Sequence, residues 1–213
     1  LIEARLAELT SDTEEHITLL NPTGYNHSDI IQLGELDAEA IEDQEGKRYL
    51  VQKTSDGAVS YVENLPAKGF QSFKLIRENS DSATTSPMRI QERGIETPYY
   101  IVEFDEEGLL TRLYDKENQR EVLAVGEKGN LMRMYEDKPI YYDNWDIDIF
   151  YTEKFWDATG LERIEWTEEG PVRATLELER KISQSTILQK IHFYAKSRRI
   201  DFETTVDWKE HQH

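Results

Sequence analysis

The chain has 213 residues, enough for one large all-β domain or two smaller ones, and its 38% hydrophobic content, with four Trp, 11 Tyr and seven Phe, excludes wholesale disorder. A formal net charge of -18, from 25 basic and 43 acidic residues, repels phosphate backbones and anionic lipid, so neither nucleic acid nor a membrane is an expected partner. There is no cysteine, which removes disulfides and thiolate chemistry from the chain and fits a cytoplasmic location.

Taken in chain order, Ile2, Leu6 and Leu9 share one helical face, and residues 1–9 read as the last turns of a helix whose beginning is absent. Ser11 and Asp12 mark a break. From Ile17 the helical period disappears. Short runs rich in β-branched and aromatic residues follow: ITLL (17–20) ending at the turn Asn21-Pro22, then SDIIQL (28–33), KRYLVQK (47–53), AVSYVEN (58–64) and FQSFKLI (70–76). Their spacing is that of a small sandwich. Residues 78–88 are polar and Ser/Thr-rich, a candidate linker whose plainer alternative is a surface loop.

Beyond it, PYYIVEF (98–104), DEEG (105–108) and LLTRLYD (109–115) read as a hairpin with Gly108 supplying the turn conformation. Val172, Ala174, Leu176 and Leu178 alternate with Arg173, Thr175, Glu177 and Glu179, and Ile200, Phe202, Thr204 and Val206 alternate with Asp201, Glu203, Thr205 and Asp207. That period predicts a sheet with one wet face. TILQKIHFY (186–194) is a third strand, and antiparallel neighbours joined by turns at Gly170-Pro171 and Ser197-Arg198 would form a meander. His192 is out of phase with Ile191 and Phe193, which predicts that it faces solvent or a partner domain. The final DWKEHQH still reads as strand, so the chain is expected to be cut at both ends.

The densest chemical constellation is EDKPIYYDNWDIDIFY (136–151). One reading is sugar contact: pyranose rings stack on aromatic faces while carboxylates and amides take hydrogen bonds from neighbouring hydroxyls, which nominates Tyr142, Asp143, Asn144, Trp145 and Asp146. A second is calcium, with Asp143, Asp146 and Asp148 as oxygen donors, although the spacing lacks the glycine and final glutamate of an EF-hand loop. A third is structural, with Trp145 and the tyrosines plugging a sandwich edge. Asp146 and Asp148 share a face if the segment is extended, but among 43 acidic residues such a pair has no specificity as a glycosidase dyad. His211 and His213 alternate on one face without an evident third metal ligand. No GxSxG, HExxH, Walker or GxGxxG motif is present, so no catalytic residue is nominated.

Several of these segments resemble the C-terminal β region of family 38 α-mannosidases. YYIVEFDEEGLLTRLYDKENQREVL (99–123) is similar to its opening strands. GNLMRMYEDKPIYYDNWDIDIFY (129–151) is similar to its "ED-P…WDAWDID" segment through Asn130, Leu131, Glu136, Asp137, Pro139, Asp143, Trp145 and Asp146. Tyr142 stands where Trp is common and Asn144 where Ala is common, departures that bear on fine sugar contacts. NPTGYNHSDIIQL (21–33), GPVRATLELER (170–180) and RIDFETTVDWKEHQH (199–213) resemble further segments.

The resemblance implies an all-β fold: a small antiparallel β-sandwich followed by part of a galactose-mutarotase-like β supersandwich. Residues 1–14 would be the end of a helical bundle and a linker, 15–77 the small sandwich, 78–88 the linker and 89–213 the partial supersandwich. It also implies a parent enzyme that hydrolyses α-D-mannosides with retention, using zinc and an Asp nucleophile in an N-terminal domain that this chain lacks. The expected role is then non-catalytic, supporting and walling the cleft, with a carbohydrate-binding module or a purely structural packing module as alternatives. Its expected partners are that catalytic domain, the helical bundle, a mannose-containing glycan and a possible second copy. No metal ligand is expected in this chain.

Overall fold

The computed structural model describes residues 15–77, 85–142, 145 and 147–210. The helix expected over 1–9, most of the polar segment 78–88, and His211 and His213 lie outside them. The described residues fall into two compact units: unit 1 comprises those up to Ser86 with Gly170–Arg173 and Ala195–Ser197, and unit 2 those within Pro87–Glu169, Ala174–Tyr194 and from Arg198 onward.

Unit 1 is one six-stranded antiparallel sheet. Its strands are β1 (His16–Asn21), β2 (His27–Gly34), β3 (Ala40–Glu42), β4 (Arg48–Thr54), β5 (Gly57–Leu65) and β6 (Gly69–Ile76), in the order β1-β6-β3-β4-β5-β2. Five of them fall on the expected runs. β3 was not anticipated, because three residues are too short to show alternation. Ile17 and Leu19 of β1 and Ile31 and Leu33 of β2 come from opposite ends of the sheet yet pack on the same cluster of Ile41, Tyr49, Val51, Val62 and Phe73, so the sheet is curled around its core. The Asn21-Pro22 turn is fixed by the buried Asn21 amide, which donates to the carbonyls of Tyr25 and Leu65 and accepts from Thr23 N and Oγ1. Gln52, also buried, donates to Arg173 O at 2.8 Å and accepts from the backbone N–H groups of Val172 and Arg173, which satisfies strand-end groups that water cannot reach.

Unit 2 contains three antiparallel sheets. Five strands, β7 (Arg89–Gln91), β8 (Gly94–Glu96), β9 (Tyr100–Phe104), β10 (Leu110–Asp115) and β11 (Arg120–Glu121), follow the order β11-β10-β9-β8-β7. A ribbon pairs β12 (Arg133–Tyr135) with β13 (Phe155–Asp157). Four long strands, β14 (Gly160–Glu169), β15 (Arg173–Ile182), β16 (Ser185–Tyr194) and β17 (Ile200–Asp207), form a meander, in which β15, β16 and β17 fall on the expected strands and β14 was not anticipated. The five- and four-stranded sheets face each other across an apolar core: the rings of Phe104 and Phe193 meet edge-on at 6.5 Å, and Leu176, Leu178 and Ile191 are fully buried. The all-β expectation therefore holds. Among the described residues no helix is long and apolar enough to cross a membrane.

Three expectations fail in this meander. First, the sheet does not keep one uniform wet face. Arg173 and Thr175, on the supposedly wet phase of β15, are buried, whereas Phe202 and Val206, on the apolar phase of β17, are exposed. Second, His192 is buried, not solvent-facing. The Thr175 hydroxyl donates to Glu168 at 2.6 Å and accepts from His192 Nδ1 at 2.8 Å, and a hydroxyl with one proton imposes that order when Glu168 is ionised. A polar chain running across β14, β15 and β16 thus replaces water on that face. Third, the strand ends at Asp207. Lys209 N and the Glu210 carboxylate instead hydrogen-bond the β15–β16 turn through Ser185 and Gln184.

Candidate functional site

The segment 136–151 lies in the connection between β12 and β13. The ribbon itself is short, registering Arg133 with Asp157, Met134 with Trp156 and Tyr135 with Phe155, and Glu136 N extends it by one bond to Lys154 O at 3.0 Å. Three-residue strands form a weak hairpin alone. Side chains reinforce it. Arg133 makes a two-point ion pair with Asp157 and lies 3.9 Å from the Phe155 ring centroid. Tyr135 meets Tyr151 edge-on at 5.1 Å.

A charge clamp closes the base of the loop. Glu136 accepts from Lys154 Nζ at 2.7 Å and Lys138 Nζ at 2.9 Å. These two hydrogen bonds, that of Lys154 being the stronger, hold the Glu136 carboxyl down at about 2, far below its ordinary 4.5. Further out, Asp148 accepts the Ile140 N–H at 2.7 Å and then begins a 3-10 turn over Ile149–Glu153. At the tip, Tyr142 takes a left-handed φ of 60° and its carbonyl accepts the Trp145 N–H at 2.8 Å.

Of the five nominated sugar-contact residues, Asp143, Asn144 and Asp146 lie outside the described residues. Tyr142 and Trp145 are brought together by that backbone hydrogen bond and are 73% and 88% exposed. Such exposure removes the edge-plugging reading of Trp145. The neighbouring Ile140, Tyr141, Ile147 and Ile149 are exposed as well. An isolated exposed apolar residue is ordinary, but a contiguous aromatic display on one loop marks an interaction surface. In the calcium reading only Asp148 is described, and its Oδ2 is engaged by Ile140 N. Among the described residues no group of three His, Cys, Asp or Glu is arranged to hold a metal ion.

Sequence reasoning missed the clamp. Lys138 and Lys154 stand far apart in sequence, and only the closed ribbon brings both to one carboxylate. Asn130 also gains a role: with φ at 62° it turns the chain and donates from Nδ2 to the buried Gln189 Oε1 at 2.7 Å, tying the approach to β12 onto β16.

The geometry is matched by three likenesses to known proteins. The model of the glycosyl hydrolases family 38 C-terminal domain matches residues 95–213. Alpha-mannosidase G of Dictyostelium discoideum is 26% identical over 182 residues, covering 75% of this chain and 16% of that protein. A crystal structure of an alpha-mannosidase from Enterococcus faecalis V583 superposes with a TM-score of 0.67 at 14% identity, over 96% of this chain and 32% of that one. The last likeness speaks for the fold alone, and the chain spans a minor part of both proteins.

Proposed function

The chain belongs to glycosyl hydrolase family 38, and we propose that it is the non-catalytic β-rich portion of a retaining, zinc-dependent α-mannosidase that supports and walls the active-site cleft. The observation that carries this reading is the β12–β13 ribbon. It carries the exposed rings of Tyr142 and Trp145 beside the two larger sheets of unit 2, an arrangement suited to a cleft wall. As the family resemblance implies, the proposal places zinc and the nucleophile in another part of the protein, and no step is routed through them here. A cytoplasmic location, a mannose-containing glycan and association with the catalytic domain complete the proposal.

The exposed pair Tyr142 and Trp145 favours a companion reading, in which the tip itself touches glycan together with Asp143, Asn144 and Asp146. Stacking of a sugar on Trp145 then orients substrate without taking part in bond cleavage. The test uses 4-nitrophenyl α-D-mannopyranoside. The 213-residue chain alone is expected to release no nitrophenol, while the full-length enzyme with zinc does. Trp145→Ala in the full-length enzyme is expected to lower kcat/KM about tenfold or more. Turnover by the chain alone would overturn the division of labour, and an unchanged kcat/KM would remove Trp145 from the cleft.

A further inference from the structure

Two cavities in unit 2 share a wall. The smaller, of about 320 Å³, sits inside the 136–154 loop and is lined by both signs of charge, with Glu136, Asp148 and Glu153 opposite Lys138 and Lys154. The larger, of about 700 Å³, is mainly apolar, with Met132, Met134, Ile147, Ile182, Ile187 and Trp208 around it. Asp137 and Tyr151 line both. The floor of the larger cavity is a small core cluster of Ala158, Ile182 and Ile187 against which Met132 and Met134 pack.

The polar groups at the junction are free to bind. Glu136 is occupied by two lysines and Asp148 by a backbone amide, but the Asp137 carboxylate and the Tyr151 hydroxyl have no hydrogen-bond partner among the described residues. A volume of about 300–1,000 Å³, mostly apolar with a few convergent polar groups, is the character of a small-ligand site. The paired methionines add a deformable lining that accepts flexible or aromatic groups.

We propose that the two cavities form one site for a neutral amphipathic glycoside, its sugar hydroxyls on Asp137 and Tyr151 and its alkyl or aryl aglycone against Met132, Met134, Ile187 and Trp208. The mixed charge selects the head group. An anionic head meets Glu136, Asp148 and Glu153, and a cationic head meets Lys138 and Lys154, whereas hydroxyls donate to carboxylates and accept from ammonium groups. The inference rests on the reading that residues 136–151 face carbohydrate. It adds a substrate class, mannosides with an apolar aglycone, and a place for that aglycone which is distinct from the Tyr142–Trp145 tip.

Calorimetric titration of the 213-residue chain tests it with three probes: octyl α-D-mannopyranoside below its micelle concentration, methyl α-D-mannopyranoside, and the octyl ether of triethylene glycol. The octyl mannoside is expected to bind one site at least tenfold tighter than either of the others. Trp208→Ala, at a half-exposed position, is expected to abolish the octyl advantage and leave methyl mannoside unchanged. Asp137→Asn should erase the preference for the mannoside over the sugarless ether, with near-UV circular dichroism confirming that both variants keep their fold. Equal affinities of the two mannosides would overturn the proposal, as would equal affinities of the two octyl compounds. So would sedimentation showing a dimer that Trp208→Ala dissociates, since a second copy would then fill the apolar cavity. Loss of methyl mannoside binding in Trp145→Ala with no octyl advantage sinks this site and keeps the tip; an octyl advantage unaffected by Trp145→Ala does the reverse.

Discussion

Unit 2 contains two hairpins of opposite design. The β9–β10 hairpin turns within five residues. Asp105 Oδ1 accepts the N–H groups of Glu107 and Leu109, Gly108 takes a φ of 68°, and Val102, Phe104, Leu109 and Leu110 are buried beside the turn. The β12–β13 ribbon has three-residue strands, a long connection and a surface of exposed aromatic rings; Met134 rests on a small apolar cluster, and an ion-pair clamp and ring contacts hold the rest. One hairpin is stabilised by what it hides. The other is arranged by its polar base so that it can display its tip. Burial therefore separates the scaffold from the site more sharply than strand propensity does.

The contrast can be broken at one phenylalanine in each hairpin. Phe104→Ala removes a ring that is 5% exposed and packed on Phe193, and is expected to cost about 3–5 kcal/mol in urea unfolding. Phe155→Ala removes a ring that is 44% exposed beneath Arg133, and should cost about 1 kcal/mol or less. Equal costs would mean that the ribbon is part of the core.

A smaller effect is expected at the turns. A Cβ on Gly108 would lie 2.8 Å from Leu178 Cδ2 and 2.9 Å from Arg180 Nη2 in a left-handed conformation, so Gly108→Ala should cost about 2–3 kcal/mol. Gly126 has a φ of 82° with nothing within 4 Å of such an atom, and Gly126→Ala should cost roughly 1 kcal/mol from backbone strain alone. Thermal unfolding of the two variants separates crowding from conformation.

The subtlest effect is the pH dependence of the ribbon. The Glu136 carboxyl is depressed from 4.5 to about 2 by Lys154 and Lys138. Its contribution to the folded loop is therefore present above pH 4.5 and lost as the pH falls toward 2. The near-UV dichroism of the tip aromatics should fade across that window in the native chain, and Glu136→Gln should flatten the change. The β9–β10 turn has an acid response of its own, because Asp105, which burial alone would raise, is held below its ordinary range by Lys128 and the N–H groups of Leu109 and Glu107; only a Glu136→Gln variant that altered the response of the Phe104–Phe193 core would make the clamp a feature of the whole unit.

Much of this was legible in the sequence. The runs at 17–20, 28–33, 47–53, 58–64 and 70–76 gave their strands because local alternation reports which residues can share a face. The Gly108 turn and the aromatic and acidic segment were equally local, and the resemblance to family 38 rested on contiguous motifs. His192 and Phe202 were misread because alternation assigns a side chain to a face without saying whether that face is covered. Thr175 and Glu168 cover His192 from strands that are separate in sequence, and Phe202 lies on the outermost strand of its sheet. The Glu136 clamp and the shared wall at Asp137 and Tyr151 were invisible for the same reason, since Lys154, Ile187 and Trp208 reach them only after the ribbon and the meander have closed. The sequence by itself determined an all-β chain, its turns and the loop that carries the aromatic groups, because these follow from backbone preference and the spacing of apolar residues. Only the tertiary structure decided which faces are dry, which carboxylate is held ionised and which are free to bind, because burial and charge pairing depend on neighbours that the chain brings in from a distance.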